Sequence, residues 1–308
     1  MRPLRGNGVL VAFVLFASIG FCARGDEIAP SSRDIGLVLS GGGAKGAYEV
    51  GVWKAICEAG LDGRIGAMSG SSVGSLCAVL FSSIKEPGKC ESVWSAAMTD
   101  AFEVNMGSIL ATALANGPAL DKYANDNGFM SKAALRRVVD ANLPAWPPQQ
   151  IPVYVYATTT EATTRKRTSF RLDTLSRTDM LDRVIASCAL PVLFSPQSID
   201  GSKHVDGGLV DNRPVAPIVD NDPENAIKTI VVVYLVHEPG GRVVQSEIGL
   251  RRLVEIIPSE DISLWIRELD FAAIDNRPTT ARRLIELGRK DAEEVLRKKG
   301  LWRKKDRQ

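Results

Sequence analysis

From residue 34 onward, short unbroken apolar runs alternate with longer segments whose apolar residues recur at helical spacing. The run at 34–40 (DIGLVLS) stops at glycines, as a strand buried on both faces does. Over 46–60, Ala47, Val50, Trp53, Ala55, Ile56 and Cys57 make a broad apolar face of helical period, and Gly60 can close that helix. A short strand at 64–68, a Gly/Ser turn and an apolar helix over 73–83 follow. Strand–helix–strand–helix is the signature of an α/β domain.

The middle of the chain is more polar, with helices expected over 91–99 and 132–141 and a loop marked by Pro144, Pro147 and Pro148. IPVYVYATTT predicts a strand, rich in β-branched and aromatic residues, and TTRKRTSFRL its hairpin return. TDMLDRVIASCAL predicts a helix ended by Pro191, and HVDGGLVDNRPV a glycine-turned loop. AIKTIVVVYLVHE is the strongest strand signal and suits the centre of a sheet. The last seventy residues are expected to be helical: LRRLVEII and ISLWIRELDFAAI on either side of Pro258, then a helix over 279–299 with Ala281, Leu284, Ile285, Gly288, Ala292, Val295 and Leu296 on one face. The pattern describes one α/β domain with a helical C-terminal extension, without repeats.

Residues 1–25 have a different layout. Arg2 and Arg5 precede an apolar run at 9–21, and Ala23 and Gly25 are small residues placed for a signal peptidase. This is the plan of a secretory signal peptide; a membrane span needs about 20 apolar residues. Export is therefore the expectation, periplasmic or secreted, with an uncleaved membrane anchor as the alternative. Cys22 suggests a lipoprotein, but Phe21 before it is too large for the usual small residue. The formal charge of +2 suggests no nucleic-acid partner, and loss of the leader, with Arg2, Arg5 and Arg24, turns it into −1. Cys57, Cys77, Cys90 and Cys188 remain. They can pair in an oxidising compartment, although the apolar settings of Cys57, Cys77 and Cys188 favour small core residues. No C-x-x-C spacing points to zinc.

Two glycine-bearing turns carry the candidate chemistry. Gly41, Gly43 and Gly46 fit G-x-G-x-x-G, yet the next strand ends in Met68-Ser69-Gly70, without the acidic residue that would hold a ribose. Lys45 is followed by Gly46, so the loop is not a phosphate-binding P-loop either. The second turn, Gly70-Ser71-Ser72-Val73-Gly74, is G-x-S-x-G between a predicted strand and helix, the setting of a nucleophile elbow. A helix N-cap is the competing role for Ser72. The two turns would lie side by side at one edge of the sheet, one supplying a nucleophile and the other N–H donors. A base is then needed. His237 follows the strong strand in the order Ser…Asp…His, His204 lies two residues before Asp206, and Asp206-Gly207-Gly208 would hold a carboxylate rigidly in a tight turn. An ordinary carboxylate, with a pKa of about 3.9, is a weak base unless its site is partly desolvated. Spacing alone leaves Ser72–Asp206 and Ser72–His237–Asp206 both open.

Taken in order, SGGGAKGAYEVGV, GSSVG and DGG resemble the glycine-rich, nucleophile and aspartate motifs of the patatin-like phospholipase family, with weaker matches in ATTTEATTRKRTSF and ASCALPVLFSP between them. The resemblance spans residues 34–217 and leaves the last ninety uncovered. It implies a three-layer α/β/α fold with a mainly parallel sheet. It also implies a Ser–Asp dyad of Ser72 and Asp206 and an oxyanion hole from the N–H groups of Gly42 and Gly43, with Gly41 as a further donor. Gly46, Gly70, Gly74, Gly207 and Gly208 would support these motifs. Lys45 stands where the family usually has Arg, and Ser40 where it often has Asp or Gly. The implied activity is hydrolysis of fatty-acyl esters without metal or cofactor, on a lipid or membrane-surface substrate. Residues 102–120 suggest a flap over an acyl pocket, and the basic tail around Leu301 and Trp302 a peripheral membrane contact. The alternatives are a histidine-dependent α/β-hydrolase esterase using His237 and a non-catalytic lipid-binding protein.

Overall fold

The structure, a computed structural model, describes residues 33–84, 86–100, 128, 130–143, 146, 153–263 and 278–302. The leader, the proposed flap at 102–120 and most of ISLWIRELDFAAI lie outside the described residues. The chain from Ser32 on forms one compact unit.

In chain order the described elements are β1 (Ile35–Leu39), α1 (Gly46–Glu58), β2 (Ile65–Ser71), α2 (Val73–Ser83), α3 (Pro87–Asp100), α4 (Lys132–Asn142), β3 (Tyr154–Glu161) and β4 (Arg167–Arg171). They continue with α5 (Arg177–Ser187), β5 (Gln197–Ile199), β6 (Ser202–Asp206), α6 (Ala216–Asp220), β7 (Thr229–Val233), α7 (Gln245–Ile248), β8 (Arg252–Ile256) and α8 (Pro278–Lys298). The strands join one mixed sheet. Pairing runs β5-β6-β3-β2-β1-β7-β8, parallel from β3 to β8, with β4 antiparallel on β3. The sheet is covered on both faces, which gives three layers. Leu37, Leu39, Val155, Ala157, Val231 and Val233 pack beneath the larger helical layer, and Val38, Ala67, Tyr156, Ile230 and Val232 face α6 and α7. A register shift between Ile35 and Gly36 against β2 lets Ile65 and Met68 reach the same layer although they are three apart.

One expectation changes. LRRLVEII is not helical: Arg252–Ile256 is a parallel strand on β7, with Val254 and Ile256 buried. Its β-branched residues and open backbone are satisfied by pairing with β7, a partner that local periodicity cannot reveal. β7 therefore lies inside the sheet but one strand from its edge. The expected C-terminal helix is present and packs on the core: α8 lies across α1 and buries Ala281, Leu284, Ile285, Ala292 and Leu296. Buried Asp291 on α8 accepts hydrogen bonds from the Tyr48 hydroxyl (3.0 Å) and the Ser259 N–H (2.9 Å). Cys57, Cys77, Cys90 and Cys188 are free thiols, the last three buried. No helix among the described residues is long and apolar enough to cross a membrane.

The α1–α8 crossing depends on two glycines. A Cβ at Gly51 would lie 1.9 Å from the Ile285 carbonyl oxygen, and one at Gly288 would lie 2.1 Å from that of Tyr48. Both clashes are with backbone, which no rotamer change relieves. Gly51→Ala or Gly288→Ala is therefore expected to destabilise the protein by about 3 kcal/mol, lowering Tm by roughly 6–12 °C. Thermal unfolding measures this, and an unchanged Tm would show that the helices separate freely.

Candidate active site

The register around β3 brings the site together. Thr158 pairs with Ser71 of β2, and Thr159 pairs with Asp206 of β6. Both residues also pair with β4, so β4 fills the opposite side of β3. β2 and β6 therefore run toward each other along one side of β3 and end face to face. The chain leaves β2 into Ser72 and leaves β6 into Gly207. β1 lies beside β2, with Leu39 level with Gly70, so the Gly41–Gly43 loop emerges next to the serine turn.

Ser72 heads α2 with φ 53° and ψ −127°, a left-handed backbone uncommon for a residue with a side chain. Several contacts hold it there. The Ser72 N–H donates to Ser187 Oγ at 2.9 Å, and the Ser187 hydroxyl donates to the Thr158 carbonyl at 2.6 Å. Both the N–H and the hydroxyl of Ser75 donate to the Ser72 carbonyl. The flanking glycines are required by space: a Cβ at Gly70 would lie 2.2 Å from the Gly74 backbone, and one at Gly74 would lie 2.3 Å from the Leu39 carbonyl oxygen. The hydroxyl is thus fixed at a helix N-terminus, where developing negative charge is favoured.

Asp206 is 4% exposed. Its Oδ1 accepts from the Gly208 N–H at 2.7 Å, its own N–H donates to the Ala189 carbonyl, and the Thr160 hydroxyl donates to its carbonyl. Burial pushes its pKa up to about 6, and the Ser72 hydroxyl and the Gly208 N–H draw it part of the way back.

Ser72, Asp206, Gly41, Gly42, Gly43, Lys45 and Gly208 line one cavity of about 440 Å³, together with Val73, Leu76, Leu135, Leu193 and Phe194. Gly46 starts α1 against Trp94 and Val73, and Gly207 turns the chain over Thr158. Burial lowers the Lys45 pKa, opposed by Asp261. Glu49, fully buried on α1, is pushed up to about 8 by desolvation, tempered by the Cys77 thiol and the Ser40 N–H.

Other sequence candidates are placed elsewhere. The Gly41 N–H, expected as an oxyanion donor, already donates to Asn212 Oδ1 at 3.0 Å. The N–H groups of Gly42 and Gly43 have no such partner among the described residues. His237 is not among the residues lining the cavity; its Nδ1 is bonded to the Pro258 carbonyl at 2.7 Å. His204 is buried against Phe170, with Nδ1 2.9 Å from Thr159 Oγ1. No group of His, Cys, Asp or Glu among the described residues is arranged to hold a metal. Asn212 and Ser187 were not legible as site residues, because each acts on a partner more than a hundred positions away.

Leu190 and Leu209 line the cavity and are also exposed, and Val192 and Val210 beside them are exposed too. Val192 has φ 73°, strained for a β-branched residue. In the basic C-terminal segment, Arg297 and Lys298 pair with Glu293 and Glu294, and the Arg297 guanidinium stacks on Trp302.

Residues 37–219 match the patatin-like phospholipase family. The chain is similar to the lysophospholipase NTE1 of Cryptococcus neoformans, 30% identical over 202 residues that cover 65% of this chain and 11% of that protein. It is also similar to an uncharacterised NTE family protein of Mycobacterium bovis, 26% identical over 66% of this chain and 49% of that protein. It thus spans about a tenth of the fungal relative and about half of the mycobacterial one. Among solved structures it is similar to VipD from Legionella pneumophila, with a TM-score of 0.48 at 14% identity, covering 87% of this chain and 68% of that one. The chain belongs to the patatin-like phospholipases, a family of lipid hydrolases.

Proposed function

We propose that the protein is a serine acyl hydrolase that cleaves a fatty-acyl ester of a phospholipid or lysophospholipid through Ser72 and Asp206. The observation behind this reading is a buried carboxylate, raised to a pKa of about 6, sharing a cavity with a serine held in strained backbone at a helix N-terminus. A carboxylate tuned upward in this way accepts a serine proton near neutral pH better than an ordinary aspartate. The name of the fungal relative supports the lipid class.

As the Ser72 hydroxyl attacks the ester carbonyl, Asp206 takes its proton. The Gly42 and Gly43 N–H groups receive the oxyanion, each donor worth about 3–4 kcal/mol in serine enzymes of this kind. Lys45 adds positive potential in the same wall. Asp206 then returns the proton to the leaving alcohol or lysolipid, and water activated by the same carboxylate releases the fatty acid from Ser72. The acyl chain lies along Val73, Leu76, Leu135, Leu193 and Phe194. The exposed apolar residues around the mouth, Leu190, Val192, Leu209 and Val210, meet the lipid surface.

Incubation with mixed phospholipids and neutral lipids should release fatty acid. Ser72→Ala and Asp206→Asn should each lower the rate on the order of 10³-fold or more, and a fluorophosphonate should label wild type but not Ser72→Ala. Equal products from wild type and Ser72→Ala would sink the reading.

The base must be ionised, so kcat/KM on a soluble ester should fall as pH drops through about 6, by about tenfold per pH unit below that point. An acid limb near pH 4 would deny Asp206 this role.

Val192→Asp and Val210→Asp together should weaken binding to phospholipid vesicles by about tenfold or more, with hydrolysis of a soluble short-chain ester unchanged. Undiminished vesicle binding in a co-sedimentation assay would move the lipid contact elsewhere.

A further inference from the structure

Asn212 grips one residue of the glycine loop, Gly41, at two points, one on each of its flanking peptides. Its Oδ1 accepts from the Gly41 N–H at 3.0 Å, and its Nδ2 donates to the Gly41 carbonyl at 3.3 Å. The amide is wedged between two loops: a Cβ at Gly41 would lie 2.4 Å from Oδ1, and one at Gly208 would lie 2.7 Å from it. Its own segment is anchored. The Asp211 N–H donates to the Gly207 carbonyl, the Asp211 carboxylate pairs with Arg167, and its Oδ1 accepts from the Arg213 N–H. Asn212 thus ties the segment that begins at Asp206 to the loop that follows β1.

Peptide planarity gives the second bond its consequence. The carbonyl of Gly41 and the N–H of Gly42 belong to one planar trans unit and point in opposite directions. Holding the carbonyl toward Asn212 therefore aims the Gly42 N–H away from it. Without this restraint, a run of three glycines rotates its peptides at little cost, since none carries a Cβ.

We infer that Asn212 is a positioning residue for transition-state stabilisation, clamping the Gly41 peptide so that the Gly42 N–H is held ready for the oxyanion formed on Ser72. The inference rests on the Ser72–Asp206 reading above and adds a component to it. Base and oxyanion donors become one rigid unit: the five residues between Asp206 and Asn212 set their relative position.

Two variants test this on a soluble p-nitrophenyl ester. Asn212→Asp keeps the size of the side chain and an acceptor for the Gly41 N–H, but turns an oxygen toward the Gly41 carbonyl. Asn212→Ala removes both bonds. In each, kcat should fall on the order of 10- to 100-fold, with KM within about threefold of wild type. The acid limb near pH 6 should stay in place, because Asp206 is untouched. Affinity for an alkyl trifluoromethyl ketone, which forms a tetrahedral oxyanion on Ser72, should fall by the same factor as kcat/KM. A purely structural role would not produce this matched loss. If either variant is folded by circular dichroism and keeps kcat within about threefold of wild type, the clamp is overturned. If neither variant folds, Asn212 is a structural residue and the inference is equally overturned. Ser72→Ala run beside them separates the two claims, since wild-type rates there would remove the nucleophile itself.

Discussion

Two strands that end against each other along one side of β3 are the constraint on which the site depends. β2 and β6 run in opposite directions, and Thr158 and Thr159 pair with the last residue of each. β4 occupies the other side of β3, so β2 and β6 share a single side and their ends abut. The junction is tight: a Cβ at Gly207 would lie 2.1 Å from the Thr158 carbonyl oxygen and 2.5 Å from Ser71 Oγ. A serine from one strand end and an aspartate from the other are thereby brought to a fixed separation, set by backbone hydrogen bonds and not by flexible side chains.

The junction also tunes the chemistry. A carboxylate buried against a sheet end loses hydration, which destabilises its charged form and moves its pKa toward neutrality. Ser72 is held in an unfavourable backbone region by the Ser187 hydroxyl, by Ser75 and by the close approach of Gly70 to Gly74. These costs are tolerated because a large apolar core surrounds them. α8 contributes directly, lying across α1, the helix that follows the glycine loop, at a distance only glycines permit. The C-terminal helix, far from the cavity in sequence, therefore braces the element on which the Gly41–Gly43 loop stands.

The local conformations were legible in the residues. GSSVG between an apolar strand and an apolar helix meant a sharp turn, and Ser72 has the positive φ such a turn requires. α2 lies where its apolar period placed it, over 73–83, whereas β2 runs on to Ser71, past the expected end at 68. Residues 250–257 were misleading: a short apolar run fits helix and strand alike, and its strand state is stabilised only by the edge of β7. His237 fitted a Ser…Asp…His order, but chain order carries no distance, and its ring is bonded to the Pro258 carbonyl instead.

The sequence by itself determined which positions can turn, which can stack as strand or helix, and which side chains have reactive groups, because these depend on φ/ψ preference and on apolar period within a few residues. Only the tertiary structure decided that the Gly41 N–H is taken by Asn212 across 171 positions, that the Asp206 carboxyl is desolvated, and that α8 belongs to the core. Burial and hydrogen-bond partnership are properties of groups brought together by folding. The string SGGGAKG shows the glycines of the loop, but not the asparagine that bonds Gly41 from 171 positions away.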